Sequence, residues 1–284
     1  MRRGGGRLMT RRFPDSAGVG DQSAVGPRGV LKRGIQRIFK RFGYQIMRFP
    51  ALHSHERHIR RLLSTLAVNC VLDVGAHEGE FYQLLRQTGY GGRVVSFEPV
   101  PDSFARLQRV AAGDPHWRGY NVALGREAGT LPINVPDSTM FASFLRPNDY
   151  CQERFPHAHW DGRTESVRVE RLESLYAEFA AGIERPRVFL KMDTQGWDRD
   201  VLAGAGPRLA DVVALQSEVS IIPIYDGMWS IAESIAYYTA LGFELTNLFP
   251  VTFDAEDMRV IEYDCVMRRM SVVPVGDGQD READ

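Results

Sequence analysis

The sequence predicts a doubly wound α/β fold built on a mostly parallel sheet. Short apolar runs typical of buried strands alternate with segments of helical periodicity from residue 71 onwards. The chain has 284 residues, of which 44% are hydrophobic and 25% charged, so it can bury the core of one large domain. Glycines and polar residues directly follow several apolar runs, at the strand ends where an open α/β sheet binds its ligand.

Element boundaries follow from changes of periodicity, glycine turns and the first-turn proline Pro101. The predicted strands of the main sheet are Val71–Val74, Arg93–Phe97, Gly119–Val122, Val188–Met192, Val212–Glu218, Phe243–Leu248 and Val260–Met267. The predicted helices are Gly79–Gln87, Asp102–Ala112, Leu172–Phe179, Trp197–Ala203 and Ile231–Leu241. The alternation loosens over residues 125–186 into two hairpin strands, Thr130–Val135 and Glu165–Val169, which predicts an insertion over the active-site edge.

The two ends of the chain differ from the domain predicted at residues 50–272. Residues 1–49 contain twelve Lys or Arg and only two acidic residues, which predicts a mobile basic arm. Within it, Val30–Phe42 has the apolar spacing of a short amphipathic helix. This helix either docks on the core with its basic face in solvent or makes a peripheral membrane contact. Residues 273–284 are polar and acidic and are predicted to be a disordered tail.

Charge and composition exclude several classes of protein. The formal net charge of −1 gives no overall attraction to polyanions, so no nucleic-acid partner is expected. The scattered cysteines Cys70, Cys151 and Cys265 form no disulfide framework, and no run approaches the ~20 apolar residues of a membrane-spanning helix. We therefore expect a cytoplasmic protein. The pair His157 and His159 lacks a third ligand at clear spacing, so no metal site is expected.

The first strand of the sheet leads into a glycine loop. Gly75 allows a tight turn against a ligand, and Gly79 opens a helix whose N-terminus offers free N–H groups. Acidic Glu78 and Glu80 would repel a pyrophosphate, whereas a ligand with an amino acid and a sulfonium in its place suits the loop. The loop therefore favours S-adenosylmethionine over a dinucleotide, although a plain glycine turn also explains the spacing. The predicted cofactor residues here are Asp73, Gly75, Ala76, His77 and Gly79.

The next two strands end in further cofactor candidates. Glu98 closes the second strand about twenty residues after the glycine loop, where a carboxylate can accept hydrogen bonds from both hydroxyls of an adenosine ribose. The alternative is a solvent-facing Glu that precedes a proline. The third strand ends in an amide and small apolar residues that can receive the adenine edge. The predicted cofactor residues of these two strands are Phe97, Glu98, Pro99, Asn121 and Ala123.

Two acidic residues are the candidates for chemistry on the acceptor. Asp193 closes the fourth strand and Glu218 the fifth, and neighbouring parallel strands bring their carboxyl ends together. Either carboxylate can orient a substrate hydroxyl or accept its proton during methyl transfer. An alternative role for Asp193 is to cap the helix before Trp197. His77, in the cofactor loop, titrates near neutral pH and is a further candidate base.

Taken together, these strand ends resemble the FkbM family of S-adenosylmethionine-dependent methyltransferases. The match runs in order from about Cys70 to about Leu248, with His77 where the family commonly has Asn and Asp198 where it has Glu. The matching stretches are Val71-Leu72-Asp73-Val74-Gly75-Ala76-His77-Glu78-Gly79, Ser96-Phe97-Glu98-Pro99-Val100, Asn121-Val122-Ala123-Leu124-Gly125, Leu190-Lys191-Met192-Asp193-Thr194-Gln195-Gly196 and Leu215-Gln216-Ser217-Glu218-Val219. The resemblance implies a class I methyltransferase fold with a seven-stranded, Rossmann-like sheet.

The resemblance implies that the protein is an O-methyltransferase. Similar members methylate hydroxyl groups of sugars, glycolipids or polyketide-like natural products, so a small-molecule or glycan acceptor is expected. One alternative is an N-methyltransferase on the same fold; another enzymatic alternative, a nicotinamide-dependent oxidoreductase, is disfavoured by the loop spacing. A third alternative, from a different class, is a non-catalytic protein tethered to a membrane or polyanion through its basic arm.

Overall fold

The computed structural model describes residues 54–254 and 257–272. A seven-stranded sheet in the order β3-β2-β1-β7-β8-β10-β9 forms the centre of this part of the chain. Strands β1, β2, β3, β7 and β8 are parallel to one another, and β10 runs antiparallel to both β8 and β9. The strands are β1 Cys70–Val74, β2 Arg93–Phe97, β3 Trp117–Tyr120, β4 Ala123–Leu124, β5 Gly129–Asn134, β6 Thr164–Glu170, β7 Val188–Met192, β8 Val212–Ser220, β9 Phe243–Asp254 and β10 Arg259–Arg269. The predicted doubly wound, mostly parallel fold is confirmed.

Helices cover both faces of this sheet. They are α1 His55–Thr65, α2 Glu80–Gln87, α3 Pro101–Val110, α4 Asp149–Arg154, α5 Leu172–Phe179, α6 Asp198–Ala205 and α7 Ile231–Ala240. In β1, Leu72 and Val74 pack in the cluster that contains α5, α6 and α7, whereas Val71 packs in the cluster of α1 and α2. A strand buried on both faces is apolar almost throughout, which is why the pattern of the sequence revealed it.

The third strand, Trp117–Tyr120, begins and ends two residues earlier than the predicted Gly119–Val122. It ends at Tyr120, so the prediction that it continues to Val122 is wrong. The chain then leaves the main sheet, and Ala123 pairs with Val169 of β6 in a second, three-stranded sheet of order β4-β6-β5. Val122 is buried here, and an apolar residue is equally suited to the main sheet and to the segment that leads into the second sheet. Periodicity alone therefore did not show where the third strand ends.

Other elements agree with the sequence or were missed by it. The two predicted hairpin strands are found as β5 and β6 and pair antiparallel. Helices α1 and α4 were not predicted, because α4 has only six residues and α1 lies next to the basic segment. The predicted arm at 1–49, its helix Val30–Phe42 and the tail at 273–284 lie outside the described residues. Within the described ranges, no helix is long and apolar enough to cross a membrane.

Candidate active site

The carboxyl ends of β1, β2, β7 and β8 open into a cavity of about 330 Å³. Seven of the ten predicted cofactor residues line it, as do the two candidate carboxylates. These nine residues are Gly75, Ala76, His77, Phe97, Glu98, Pro99, Ala123, Asp193 and Glu218. Parallel strands end at the same edge of a sheet, so the fold brings together residues that are more than a hundred positions apart in the sequence.

Gly75 makes the turn on which one wall of the cavity depends. Its φ of +73° lies in the left-handed region, and a Cβ built on it would lie 1.9 Å from the backbone oxygen of Asp193. The N–H groups of Gly75 and Ala76 both donate to the backbone oxygen of Phe97, at 3.0 and 3.1 Å. The loop thus lies against the ends of β2 and β7 with no room for a side chain.

Glu98 is buried at the end of β2, with 5% of its surface exposed, so the alternative of a solvent-facing Glu is wrong. Its Oε2 accepts the backbone N–H of His77 at 2.8 Å, and its Oε1 accepts that of Val100 at 2.9 Å. Burial raises the pKa of Glu98 to about 7, although these two N–H groups favour the ionised form. Each carboxylate oxygen keeps acceptor capacity for a ligand hydroxyl.

His77 is held at both ring nitrogens. Its Nδ1 lies 3.0 Å from Oε1 of Glu80, and its Nε2 lies 2.8 Å from Oγ1 of Thr139. Burial alone would lower the pKa of His77, but the hydrogen bond and charge of Glu80 outweigh it, and the pKa is raised. A role for His77 as a base would therefore require one of these two contacts to break.

A buried lysine links the glycine loop to Asp193, which directly follows β7. In the β1–β7 register Lys191 lies opposite Asp73, and its Nζ lies 3.3 Å from Oδ1 of Asp73 and 3.3 Å from Oδ2 of Asp193. It also donates to the backbone oxygen of Gly75 at 3.1 Å. Burial would lower the pKa of Lys191, but the charges of Asp193 and Asp73 outweigh it and raise the pKa. The ammonium group therefore stays charged and pairs with both carboxylates.

Asp193 and Glu218 are brought together as the sequence predicted. Nε2 of Gln195 donates to Oδ1 of Asp193 at 3.3 Å and to Oε2 of Glu218 at 2.8 Å. Burial, followed by the charge of Asp193, raises the pKa of Glu218 well above its ordinary value. Although it lines the cavity, Glu218 is surrounded by protein and neighbouring carboxylates, which favours its neutral form. The alternative that Asp193 caps α6 is wrong, because that helix begins at Asp198 and Trp197 precedes it.

Three predicted cofactor residues do not line the cavity. The carboxylate of Asp73 is fully buried behind Lys191. Gly79 has a φ of +99°, and a Cβ there would lie 3.0 Å from Leu107, so its absence lets α2 and α3 approach. The Nδ2 of Asn121 donates to the backbone oxygens of Glu98 and Pro99 at 2.9 and 3.0 Å. These hydrogen bonds hold the backbone that follows β2 in place.

The rest of the cavity wall was missed by reasoning from strand ends. Ile133, Thr139, Met140, Ala142 and Phe144, which all belong to the predicted insertion, line the cavity. The rings of Phe144 and Trp197 lie 4.9 Å apart between centroids. His55, Gln216 and Asp264 also line it, from α1, β8 and β10. The acidic residues Glu262 and Asp264, placed among the apolar residues of β10, were a signal for the last of these. Among the residues of 54–254 and 257–272, no group of three or more metal-ligating side chains is arranged to hold an ion.

Comparison with known proteins gives a family match. The model of the methyltransferase FkbM domain matches residues 73–245, which is more than half of the chain. The chain is 25% identical over 187 residues to 2-O-methyltransferase NoeI of Sinorhizobium fredii, a match that covers 63% of this chain and 74% of that protein.

Two solved structures are also similar to this chain at low identity. One is an uncharacterized protein of Listeria monocytogenes, with a TM-score of 0.43 at 8% identity, over 77% of this chain and 68% of the other. The second is an rRNA methylase of Streptococcus thermophilus, with a TM-score of 0.40 at 10% identity, over 80% of this chain and 100% of the other. At such TM-scores these two likenesses carry no further conclusion.

Proposed function

The chain belongs to the FkbM methyltransferase family, and we propose that it transfers a methyl group from S-adenosylmethionine to a hydroxyl oxygen. The acceptor in this proposal is a sugar, a glycolipid or a polyketide-like natural product. Methyl transfer itself is the activity of the family; the oxygen acceptor and its class are the proposed part. The name of the similar 2-O-methyltransferase of Sinorhizobium fredii supports oxygen as the acceptor atom.

The observation that carries the proposal is the pairing of the Gly75 turn with buried Glu98 in one cavity. The site of Gly75 allows a ligand to approach the backbone closely, and a Cβ there is excluded by Asp193. Glu98 presents a carboxylate to two neighbouring hydroxyls, which fits the ribose of an adenosine. The lining residues Pro99 and Ala123 supply small apolar surfaces beside it for the adenine.

The acceptor side is built for a hydroxyl group. When bound, S-adenosylmethionine supplies a methyl group activated by a sulfonium. Asp193, whose Oδ2 lies 3.3 Å from Nζ of Lys191, accepts a hydrogen bond from the acceptor hydroxyl and orients its oxygen. Gln195 fixes the side chains of Asp193 and Glu218 relative to each other.

N-methylation is the second candidate and has less support. Many base-modifying enzymes carry Asn or Asp followed by two prolines and an aromatic residue after the fourth strand, which stack and hydrogen-bond a planar amine. Here the chain continues from Asp193 through Thr194 and Gln195 to Gly196. The side chain of Gln195 is already engaged by Asp193, Glu218 and the hydroxyl of Tyr225. This loop offers no such platform for a base.

Calorimetry with the full chain tests the cofactor. We expect S-adenosylhomocysteine to bind and a nicotinamide dinucleotide not to bind, because the acidic loop residues Glu78 and Glu80 repel a pyrophosphate. Binding of the dinucleotide without binding of S-adenosylhomocysteine would refute the proposal.

The affinity for S-adenosylhomocysteine is predicted to depend on pH through Glu98. Ribose hydroxyls favour the ionised carboxylate, whereas the pKa of Glu98 in the free protein is raised to about 7. Binding therefore releases a proton below pH 7, and affinity should rise with pH up to about 7 and then level off. Below pH 7 we expect the affinity for S-adenosylhomocysteine to fall by up to about tenfold per pH unit. Calorimetry across this range measures it.

The matched variant is Glu98→Gln, which keeps the size but has no charge to titrate. It should weaken binding by about 1–3 kcal/mol and remove the rise with pH. Its melting temperature shows whether the contacts to His77 and Val100 survive. An unchanged affinity in this variant would mean that Glu98 does not contact the ribose.

Asp193→Asn is predicted to lower turnover while cofactor affinity persists. The amide retains the shape but loses the charge that orients the hydroxyl, and we expect kcat to fall by roughly 10²-fold. Glu218→Gln is the matched control and should lose less, because the raised pKa of Glu218 already favours a neutral side chain. A larger loss in the control would transfer the orienting role to β8. Wild-type turnover in Asp193→Asn would show that Asp193 has no part in it.

A further inference from the structure

A histidine that no sequence motif identifies reaches the cavity from outside the family match. His55 is the first residue of α1, and it lines the cavity together with Gln216 and Asp264. The family match covers residues 73–245, so His55 precedes it and Asp264 follows it. In the strand registers, Gln216 lies opposite Lys191 and Asp264 lies opposite Glu218. The three residues therefore border the acceptor side of the cavity.

The hydrogen bonds of these three side chains fix the tautomer of His55. Nε2 of Gln216 donates to Oδ1 of Asp264 at 2.9 Å, which leaves Oε1 of Gln216 as an acceptor. Nε2 of His55 lies 2.9 Å from that oxygen, so it must carry the proton. Its second ring nitrogen, Nδ1, then has a lone pair, and it has no hydrogen-bond partner among the residues at 54–254 and 257–272. Packing of the ring against Phe249, 5.1 Å between centroids, holds its orientation.

We propose that His55 is the general base of the methyl transfer, with Gln216 and Asp264 as the relay that selects the Nε2–H tautomer and so leaves the lone pair of the neutral ring on Nδ1. The inference rests on the proposed O-methylation. In the step, Nδ1 takes the proton of the acceptor hydroxyl while the oxygen forms a bond to the methyl carbon. The bond from that carbon to sulfur breaks, and its electron pair stays on sulfur. The positive charge of the sulfonium thus ends on the imidazolium, which faces Asp264 across Gln216.

The other candidates are less suited to accept the proton. Oδ2 of Asp193 lies 3.3 Å from Nζ of Lys191, and Asp193 would lose this ion pair if it took the proton. Burial and the charge of Asp193 raise the pKa of Glu218, which favours the protonated form. His77 has a partner at each ring nitrogen. His55 lines the cavity, and its Nδ1 has no hydrogen-bond partner in the part of the chain that the structure describes.

Nitrogen-15 NMR of the full chain with labelled histidine tests the tautomer without turnover. His55→Gln identifies the signals of His55 by their loss. We expect an unprotonated Nδ1 and a protonated Nε2 in the wild type bound to S-adenosylhomocysteine. Asp264→Asn should reverse or mix the two forms, because an asparagine can donate to Gln216 and turn its amide round. A wild-type His55 protonated at Nδ1 overturns the proposal.

Turnover tests the role of the base itself. The probe is transfer of labelled methyl from S-adenosylmethionine to a panel of neutral methyl glycosides. His55→Gln should lower kcat by about 10²–10⁴-fold, with the affinity for S-adenosylhomocysteine within twofold of wild type. Added imidazole should raise the turnover of His55→Ala at least tenfold.

His58→Gln is the matched control, because His58 lies on the same helix and bonds to Thr246 without lining the cavity. It should keep turnover within threefold of wild type. If His55→Gln keeps more than a third of wild-type turnover, His55 is not the base. Calorimetry on the same samples separates a failure of the general-base proposal from a failure of the proposed function. Wild-type protein that does not bind S-adenosylhomocysteine contradicts the proposed function.

Discussion

Gly75→Ala is expected to destabilise the protein by about 3 kcal/mol or more and to abolish measurable cofactor binding. The added methyl meets the backbone oxygen of Asp193 at 1.9 Å, and φ at this residue is +73°. A backbone atom cannot move aside as a flexible side chain does, so the loop must separate from β7. Separation breaks the contact between the Gly75 oxygen and Lys191 and displaces Asp193. Urea unfolding and calorimetry with S-adenosylhomocysteine measure the two effects.

The control is Gly129→Ala, on β5. No atom lies within 4 Å of a Cβ built there, and its backbone is not in the left-handed region. We expect a change within about 0.5 kcal/mol and unaltered binding. Equal behaviour of the two variants would mean that the turn at Gly75 does not have the conformation described.

Lys191→Met is expected to cost about 3–5 kcal/mol of stability near neutral pH. The substitution keeps the length of the side chain but leaves the Asp73 carboxylate, which is 0% exposed, without its counter-ion. Apart from Lys191, neither oxygen of Asp73 has a hydrogen-bond donor among the described residues, and burial already raises the pKa of Asp73. The variant must therefore bury an unpaired charge or take up a proton on folding.

The pH dependence of this loss follows from the direction of the shift. In the variant, the pKa of Asp73 rises further above its value in the unfolded chain. The folded state then binds the extra proton, so stability falls as pH increases between the two values. Urea unfolding at pH 5 and pH 8 should show the larger deficit relative to wild type at pH 8.

The double variant Asp73→Asn with Lys191→Met isolates the ion pair. Removing both charges should recover most of the stability, because no unpaired charge is then buried. A double variant no more stable than Lys191→Met would show that the lysine is needed for packing and not as a counter-ion.

The strand ends of the candidate site were predictable because each one is a local pattern. An apolar run closed by Asp73 and Gly75, or by Glu98, or by Asp193, marks a buried strand and the ligand side of its end. The parallel order of β1, β2, β7 and β8 then brings them into one cavity. The sequence therefore determined the fold class, the glycine turn and the acidic residues that line the cavity at the ends of β7 and β8.

Which partner each polar side chain takes was decided by the tertiary structure. Lys191 meets Asp73 only through the register of β1 with β7, and Gln195 reaches Glu218 only because β8 follows as the next strand. The relay from His55 to Asp264 joins residues 209 positions apart, at the start of α1 and within β10. Hydrogen bonds and ion pairs are short-ranged and directional, whereas residue type and spacing specify only which strand a group belongs to. The sequence determined the groups that the cavity contains, and packing of the strands decided which of them is paired and which is free to react.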